Sequence, residues 1–75
     1  MNDSQVMTVA RVFEPGQDAA EVVFLESAMF YRLLRKNAAF DSTLAVLKNA
    51  QANGRPVRVN LAPDSDNIIE SVERV

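Results

Sequence analysis

The chain of 75 residues has no cysteine and no histidine, and only two glycines and three prolines. Without cysteine no disulfide bond can form, so a domain of this size must be stabilised by its apolar core or by a partner chain. Without either residue a zinc ion would have to be held by carboxylates alone, which is uncommon. The commonest general base and the thiol nucleophile are missing as well.

The remaining reactive residue types form no recognisable motif. Both glycines are isolated, so there is no glycine-rich phosphate loop. The segment from Asp64 to Glu70 superficially resembles a calcium loop, but Ile69 takes the position of the required glycine and Val75 that of the final carboxylate. We interpret it as a polar turn. No family signature is recognised, and we predict no enzyme and no catalytic, metal-binding or cofactor-binding residue.

Composition indicates an ordinary globular protein. Hydrophobic residues make up 48% of the chain, and the net charge of −2 gives no general attraction to nucleic acid or to an anionic membrane. The apolar runs are only a few residues long, too short to span a bilayer, and the first residues do not resemble a signal peptide. We therefore predict a single soluble domain over residues 1–75 that is cytoplasmic and does not contact membranes.

Runs of apolar and β-branched residues, separated by turn formers, predict strands. Residues from Val6 to Glu14 and from Ala20 to Glu26 are expected to form a hairpin around a turn from Pro15 to Asp18. Residues from Val57 to Ala62 alternate between apolar and polar types, which indicates a strand with one buried face.

The segment from Asp41 to Asn53 predicts the main helix. Asp41 or Ser42 would supply the N-cap oxygen, and Gly54 would end the helix in a left-handed conformation. One helical stripe carries the residues expected to face the core, namely Phe40, Leu44, Leu47 and Gln51.

Two segments fit either a strand or a helix: residues 27–36 and residues 68–75. With both read as strands, the order is strand, strand, strand, helix, strand, strand, as in an OB-like barrel. The predicted fold class is therefore α+β, a small antiparallel sheet or OB-like barrel of four or five strands with one main helix.

Charge is unevenly distributed, because basic residues concentrate in the middle of the chain and acidic residues near both ends. One interpretation is that these charges simply intersperse on the folded surface. The other is a weak contact site for single-stranded nucleic acid, where basic groups lie beside an aromatic ring. Its candidate residues are Tyr31, Arg32, Arg35, Lys36, Arg55 and Arg58.

Apolar residues also occur consecutively, from Val22 to Leu25 and from Ala28 to Tyr31. In strands such runs make both faces apolar, and a face that the helix does not cover would remain wet unless another chain covered it. We therefore predict a homodimer, with Phe24 and Phe30 as candidate self-association residues. The predicted function is a non-enzymatic module that binds itself and an unidentified protein partner. The alternative is an OB-like module for single-stranded nucleic acid, and the least favoured is a small carboxylate-dependent enzyme.

Overall fold

The structure is a computed structural model, and it describes residues 4–14 and 16–75. The order of elements in this part of the chain is β1 (Ser4–Phe13), β2 (Ala19–Phe24), β3 (Phe30–Leu34), α1 (Phe40–Asn53), β4 (Pro56–Leu61) and β5 (Ile69–Arg74). The strands form an antiparallel sheet in the order β3-β2-β1-β4-β5. The predicted α+β class is confirmed, and the sheet is open rather than a closed barrel.

The central strand β1 changes partner along its length. Its first half pairs with β4 and its second half with β2, and the register shifts between Val9 and Arg11. Such a bulge bends a strand and increases its twist. The side-chain amide of Gln51 on α1 donates to the carbonyl oxygen of Ala10 at 3.2 Å, so the helix is tied to the bulge.

The two edges of the sheet approach each other without forming a continuous ladder. The backbone N–H of Arg32 on β3 donates to the carbonyl oxygen of Asn67 at 2.8 Å, beside an isolated parallel bridge between Arg32 and Ile68. The side-chain amide of Asn37 donates to the carbonyl oxygen of Glu70 at 2.9 Å. These contacts curl the sheet around α1 and leave it open.

The hydrophobic core lies between α1 and the face of the sheet that α1 covers. The alternation predicted for β4 is observed, because Val57 and Val59 are buried and Arg58 between them is exposed. The buried face of α1 carries Phe40, Thr43, Leu44, Leu47 and Ala50. The sheet contributes Met7, Val9, Ala20, Val22, Phe24, Tyr31, Leu33, Val57, Val59 and Ile69.

Both ambiguous segments contain strands, since β3 falls within residues 27–36 and β5 within residues 68–75. The antiparallel pairing of β1 with β2 confirms the hairpin. Pro15 of its predicted turn lies outside the described residues, as do residues 1–3 of the predicted N-terminal sequence.

The two ends of α1 differ in how well the sequence predicted them. The prediction that Asp41 or Ser42 caps the N-terminus is wrong, because the helix already begins at Phe40 with Ala39 as N-cap and no side-chain cap hydrogen bond. Burial of Phe40 in the core extends the helix to that residue. Gly54 ends the helix as predicted, with φ of 63°. No helix in residues 4–14 and 16–75 is long and apolar enough to cross a membrane.

Candidate functional site

The basic residues singled out in the sequence lie on different parts of the molecule. Arg32 on β3 and Arg58 on β4 are both exposed, and these two strands are not neighbours in the sheet. Arg55 follows the end of α1, whereas Lys36 follows β3.

Arg35 is engaged within the molecule. Its guanidinium contacts Glu14 at 3.4 Å and lies 4.8 Å from the centre of the Phe40 ring. Lys48 on α1 contacts the other carboxylate oxygen of Glu14 at 2.9 Å. The hydrogen bond from Lys48 is the largest of the influences that lower the pKa of Glu14 below its ordinary value, and Arg35 lowers it further. Part of the basic middle therefore pairs with the acidic N-terminal region, and surface pairs of this kind stabilise a fold only modestly.

Two of the three aromatic residues considered for binding belong to the core. Phe24 and Tyr31 are 1% and 3% exposed, and their rings pack edge to face with centroids 5.1 Å apart. Neither ring is therefore available to stack on a base or to face a second chain. Phe30 is 58% exposed, because it precedes Tyr31 in β3 and points to the opposite face.

The connection from β2 to β3 concentrates exposed apolar side chains. Leu25 is 71% exposed and Met29 is 39% exposed, and Phe30 follows directly. We call residues 25–30 the apolar loop. Across the sheet Phe30 pairs with Val23, which is itself only half-buried. A group of exposed apolar side chains of this kind is typical of a surface that contacts another molecule.

Glu26 holds the first half of the apolar loop against β1. One carboxylate oxygen accepts the backbone N–H of Thr8 at 2.7 Å, and the other accepts the Thr8 hydroxyl at 2.9 Å. The N–H of Leu25 donates to the carbonyl oxygen of Thr8 at 2.9 Å. The bond from the Thr8 backbone is the largest of the influences that lower the pKa of Glu26, because it stabilises the ionised carboxylate.

Ser27 holds the second half of the loop to the core. Its hydroxyl oxygen accepts the phenolic O–H of Tyr31 at 3.1 Å and the N–H of Met29 at 3.3 Å. Because Tyr31 is buried, the loop is fixed from both sides while its apolar side chains point outward. Within the described residues no cluster of three or more acidic side chains could hold a metal ion.

The sequence interpretation missed Thr8, Leu25, Glu26 and Met29. A signal for Leu25 was present, since the consecutive apolar residues from Val22 to Leu25 require that some of them face outward. No sequence signal connects Glu26 with Thr8, which lies 18 residues away and meets it only in the folded sheet.

Among solved structures, the chain matches two structures of the same protein. No family model matches the chain, and no curated protein matches it significantly. A crystal structure of pro-protein-glutaminase matches 99% of the chain with a TM-score of 0.85 and 24% sequence identity. The structure of a mutant of pro-protein-glutaminase matches all of the chain, also at 0.85, with 22% identity. This chain spans about a quarter, 26%, of each of those chains.

This likeness corrects the predicted function. The prediction of a non-enzymatic, self-associating interaction module is wrong, and so is its alternative of an OB-like nucleic-acid-binding module. The solved chains that share the fold over its full length belong to the pro-form of an enzyme. At this level of identity the likeness establishes the fold alone.

Proposed function

We propose that this chain is a domain of a protein-glutaminase-type enzyme and that it packs against the catalytic part in the pro-form. The observation that carries the proposal is the match of 99% of the chain, at a TM-score of 0.85, to about a quarter of a proenzyme. Pro-segments keep an enzyme inactive until proteolysis removes them, which is a recurring form of control. The remaining three quarters of such a proenzyme leave room for a separate catalytic part.

The apolar loop supports this role, and we assign the contact with the catalytic part to it. Leu25, Met29 and Phe30 present apolar surface at one site. Hydrogen bonds from Thr8 to the Glu26 side chain and from Tyr31 to the Ser27 side chain hold the loop that carries them. A surface that is already in its bound shape loses little conformational entropy on docking. Exposed aromatic and aliphatic side chains are also the type that dominates the energy of an interface.

The test is a chimera in which this chain replaces the matching quarter of pro-protein-glutaminase. Ammonia release from a glutamine-containing protein is measured before and after proteolytic removal of this chain. We expect at least about a tenfold rise in activity on removal, which corresponds to ~1.4 kcal/mol of favourable docking. Equal activity before and after removal would contradict the proposal.

Two controls make the result specific. A chimera with both Leu25→Asp and Phe30→Asp should release ammonia before proteolysis, because charged side chains cannot be buried at the contact without a large desolvation cost. The isolated 75-residue chain is assayed alone. Ammonia release by the isolated chain would show that this domain carries the catalytic site itself and would overturn the docking role.

A further inference from the structure

The contact between Glu26 and Thr8 occupies the place where the β1–β2 ladder ends. Val9 pairs with Phe24, and the next ladder bond runs from the N–H of Leu25 to the carbonyl oxygen of Thr8. The N–H and the carbonyl of one strand residue point to the same side, so the N–H of Thr8 also points toward the apolar loop. Its acceptor is the Glu26 carboxylate at 2.7 Å instead of a backbone carbonyl.

No group on β4 can replace the Glu26 carboxylate as the acceptor of the Thr8 backbone N–H. The residue opposite Thr8 on β4 is Pro56, but the Thr8 N–H points away from β4, so the Pro56 carbonyl oxygen cannot replace the carboxylate as its acceptor. Without the carboxylate, the Thr8 N–H would have water as its acceptor, because no backbone carbonyl takes that place. The carboxylate therefore ends the ladder and at the same time fixes where the apolar loop leaves the sheet.

We propose that Glu26 and Thr8 form a positioning pair that holds the apolar loop in the shape in which it docks on the catalytic part, an inference that rests on the proposed function. Neither side chain needs to touch the partner, since both act through the loop backbone. If the loop without this pair adopts the docking shape about a tenth of the time, its affinity for the partner falls about tenfold.

Three substitutions separate the hydrogen bonds from the charge. Glu26→Ala removes both bonds, and Thr8→Val removes the bond to the hydroxyl while keeping the backbone one. Glu26→Gln should still hold the apolar loop in place, because its amide oxygen can accept the Thr8 N–H and its amide N–H can donate to the Thr8 hydroxyl. The control is Glu70→Ala, which removes an equal charge from an exposed position on β5.

Each variant is measured in two ways. The {¹H}-¹⁵N heteronuclear NOE of Ala28 and Met29, together with amide exchange at Thr8, reports the order of the loop in the isolated chain. Inhibition of ammonia release by mature protein-glutaminase reports docking. We expect Glu26→Ala to loosen the loop, to speed exchange at Thr8 at least tenfold and to raise the inhibition constant about tenfold. For Glu26→Gln and Glu70→Ala, the exchange rate of the Thr8 amide and the inhibition constant should both stay within about twofold of the parent values.

The two readouts separate the possible failures. An ordered loop and a protected Thr8 amide in Glu26→Ala would overturn the positioning role, whatever the inhibition data show. A looser loop with unchanged inhibition would overturn the link between loop shape and docking. A parent chain that does not inhibit at all would contradict the proposed function itself, and with it the docking role of the pair.

Discussion

Both carboxylate oxygens of Glu26 accept hydrogen bonds from a single residue, Thr8, one from its backbone N–H at 2.7 Å and one from its hydroxyl at 2.9 Å. Hydrogen bonds to an ionised acceptor are about twice as strong as neutral ones. This contact joins the central strand of the sheet to a part of the surface that carries three exposed apolar side chains, namely Leu25, Met29 and Phe30. It therefore links the order of the loop to the hydrogen bonds that one carboxylate accepts.

The order of the apolar loop should decrease at acid pH. The pKa of Glu26 lies below its ordinary value of 4.5 in the folded chain, so the stabilisation is complete above pH 4.5 and is lost as the pH falls through the lowered pKa. We expect the amide of Thr8 to lose part of its exchange protection in that acidic range, because the protonated carboxyl keeps an acceptor oxygen but loses the charge that strengthens the bond. Glu26→Gln should lack this step, and an identical pH profile for the variant and the parent would contradict the account.

Charged substitutions in the apolar loop should separate docking from folding. Leu25→Asp and Phe30→Asp change side chains that are 71% and 58% exposed, so the free energy of unfolding should change by no more than about 0.5 kcal/mol. Docking on mature protein-glutaminase should weaken at least about tenfold. The matched control is Val75→Asp, because Val75 is 66% exposed and lies after β5, beside Asn49 and Ala50 of α1. Equal losses of docking affinity in all three variants would argue against a specific contact.

Two leucines provide a test of the core. Leu47 on α1 is completely buried, whereas Leu25 is largely exposed. Leu47→Ala should lower the free energy of unfolding by ~2–5 kcal/mol, because it removes buried methyl groups and leaves a cavity. Leu25→Ala should have almost no effect. Urea denaturation measures both, and similar midpoints for the two variants would contradict the described packing of α1.

The end of α1 depends on the backbone freedom of glycine at position 54. Its φ is 63°, and a Cβ added there would meet no atom within 4 Å. The cost of Gly54→Ala is therefore conformational rather than steric, and we expect ~1–2 kcal/mol. Gly54→Asn should cost less, because asparagine tolerates the left-handed region. Thermal unfolding distinguishes them, and the reverse order would count against the observed helix end.

Glu14 should stabilise the fold in a salt-dependent way. It joins the chain after β1 to Arg35 and to Lys48 on α1. Glu14→Gln removes the charge that both cations face, so the variant should unfold at a lower denaturant concentration than the parent. Because all three groups are exposed, the difference should shrink in 1 M salt, where the Debye length is about 3 Å. A difference that does not depend on salt would show that the ion pairs are not its cause.

Local patterns were sufficient to predict most of the fold. The alternation around Val57 and Val59 and the stop at Gly54 each depend on a few neighbouring residues, and both are observed. Periodicity alone did not decide between strand and helix for residues 30–34. In the fold, Tyr31 and Leu33 are buried and Arg32 between them is exposed, which is the alternation of a strand. The N-terminal helix cap was mispredicted, because burial of Phe40 placed the first turn earlier than the capping residues indicated.

The candidate site was much less predictable. Apolar runs showed that part of the surface near Phe24 and Phe30 would be apolar, but not that Phe24 faces the core and Phe30 the solvent. The contact between Glu26 and Thr8 brings together residues that no local pattern relates. No motif indicated the proposed function, because that proposal rests on a three-dimensional likeness to a proenzyme at 24% identity.

The most direct test of the central claim is an amide NMR titration of this chain, labelled with ¹⁵N, with mature protein-glutaminase. The account predicts saturable shifts or line broadening that concentrate on residues 25–30 and on Thr8, and that need at least about tenfold more enzyme in Leu25→Asp. No change at a several-fold excess of the enzyme, or changes confined to the exposed face of α1, would contradict the claim that the apolar loop docks on the catalytic part.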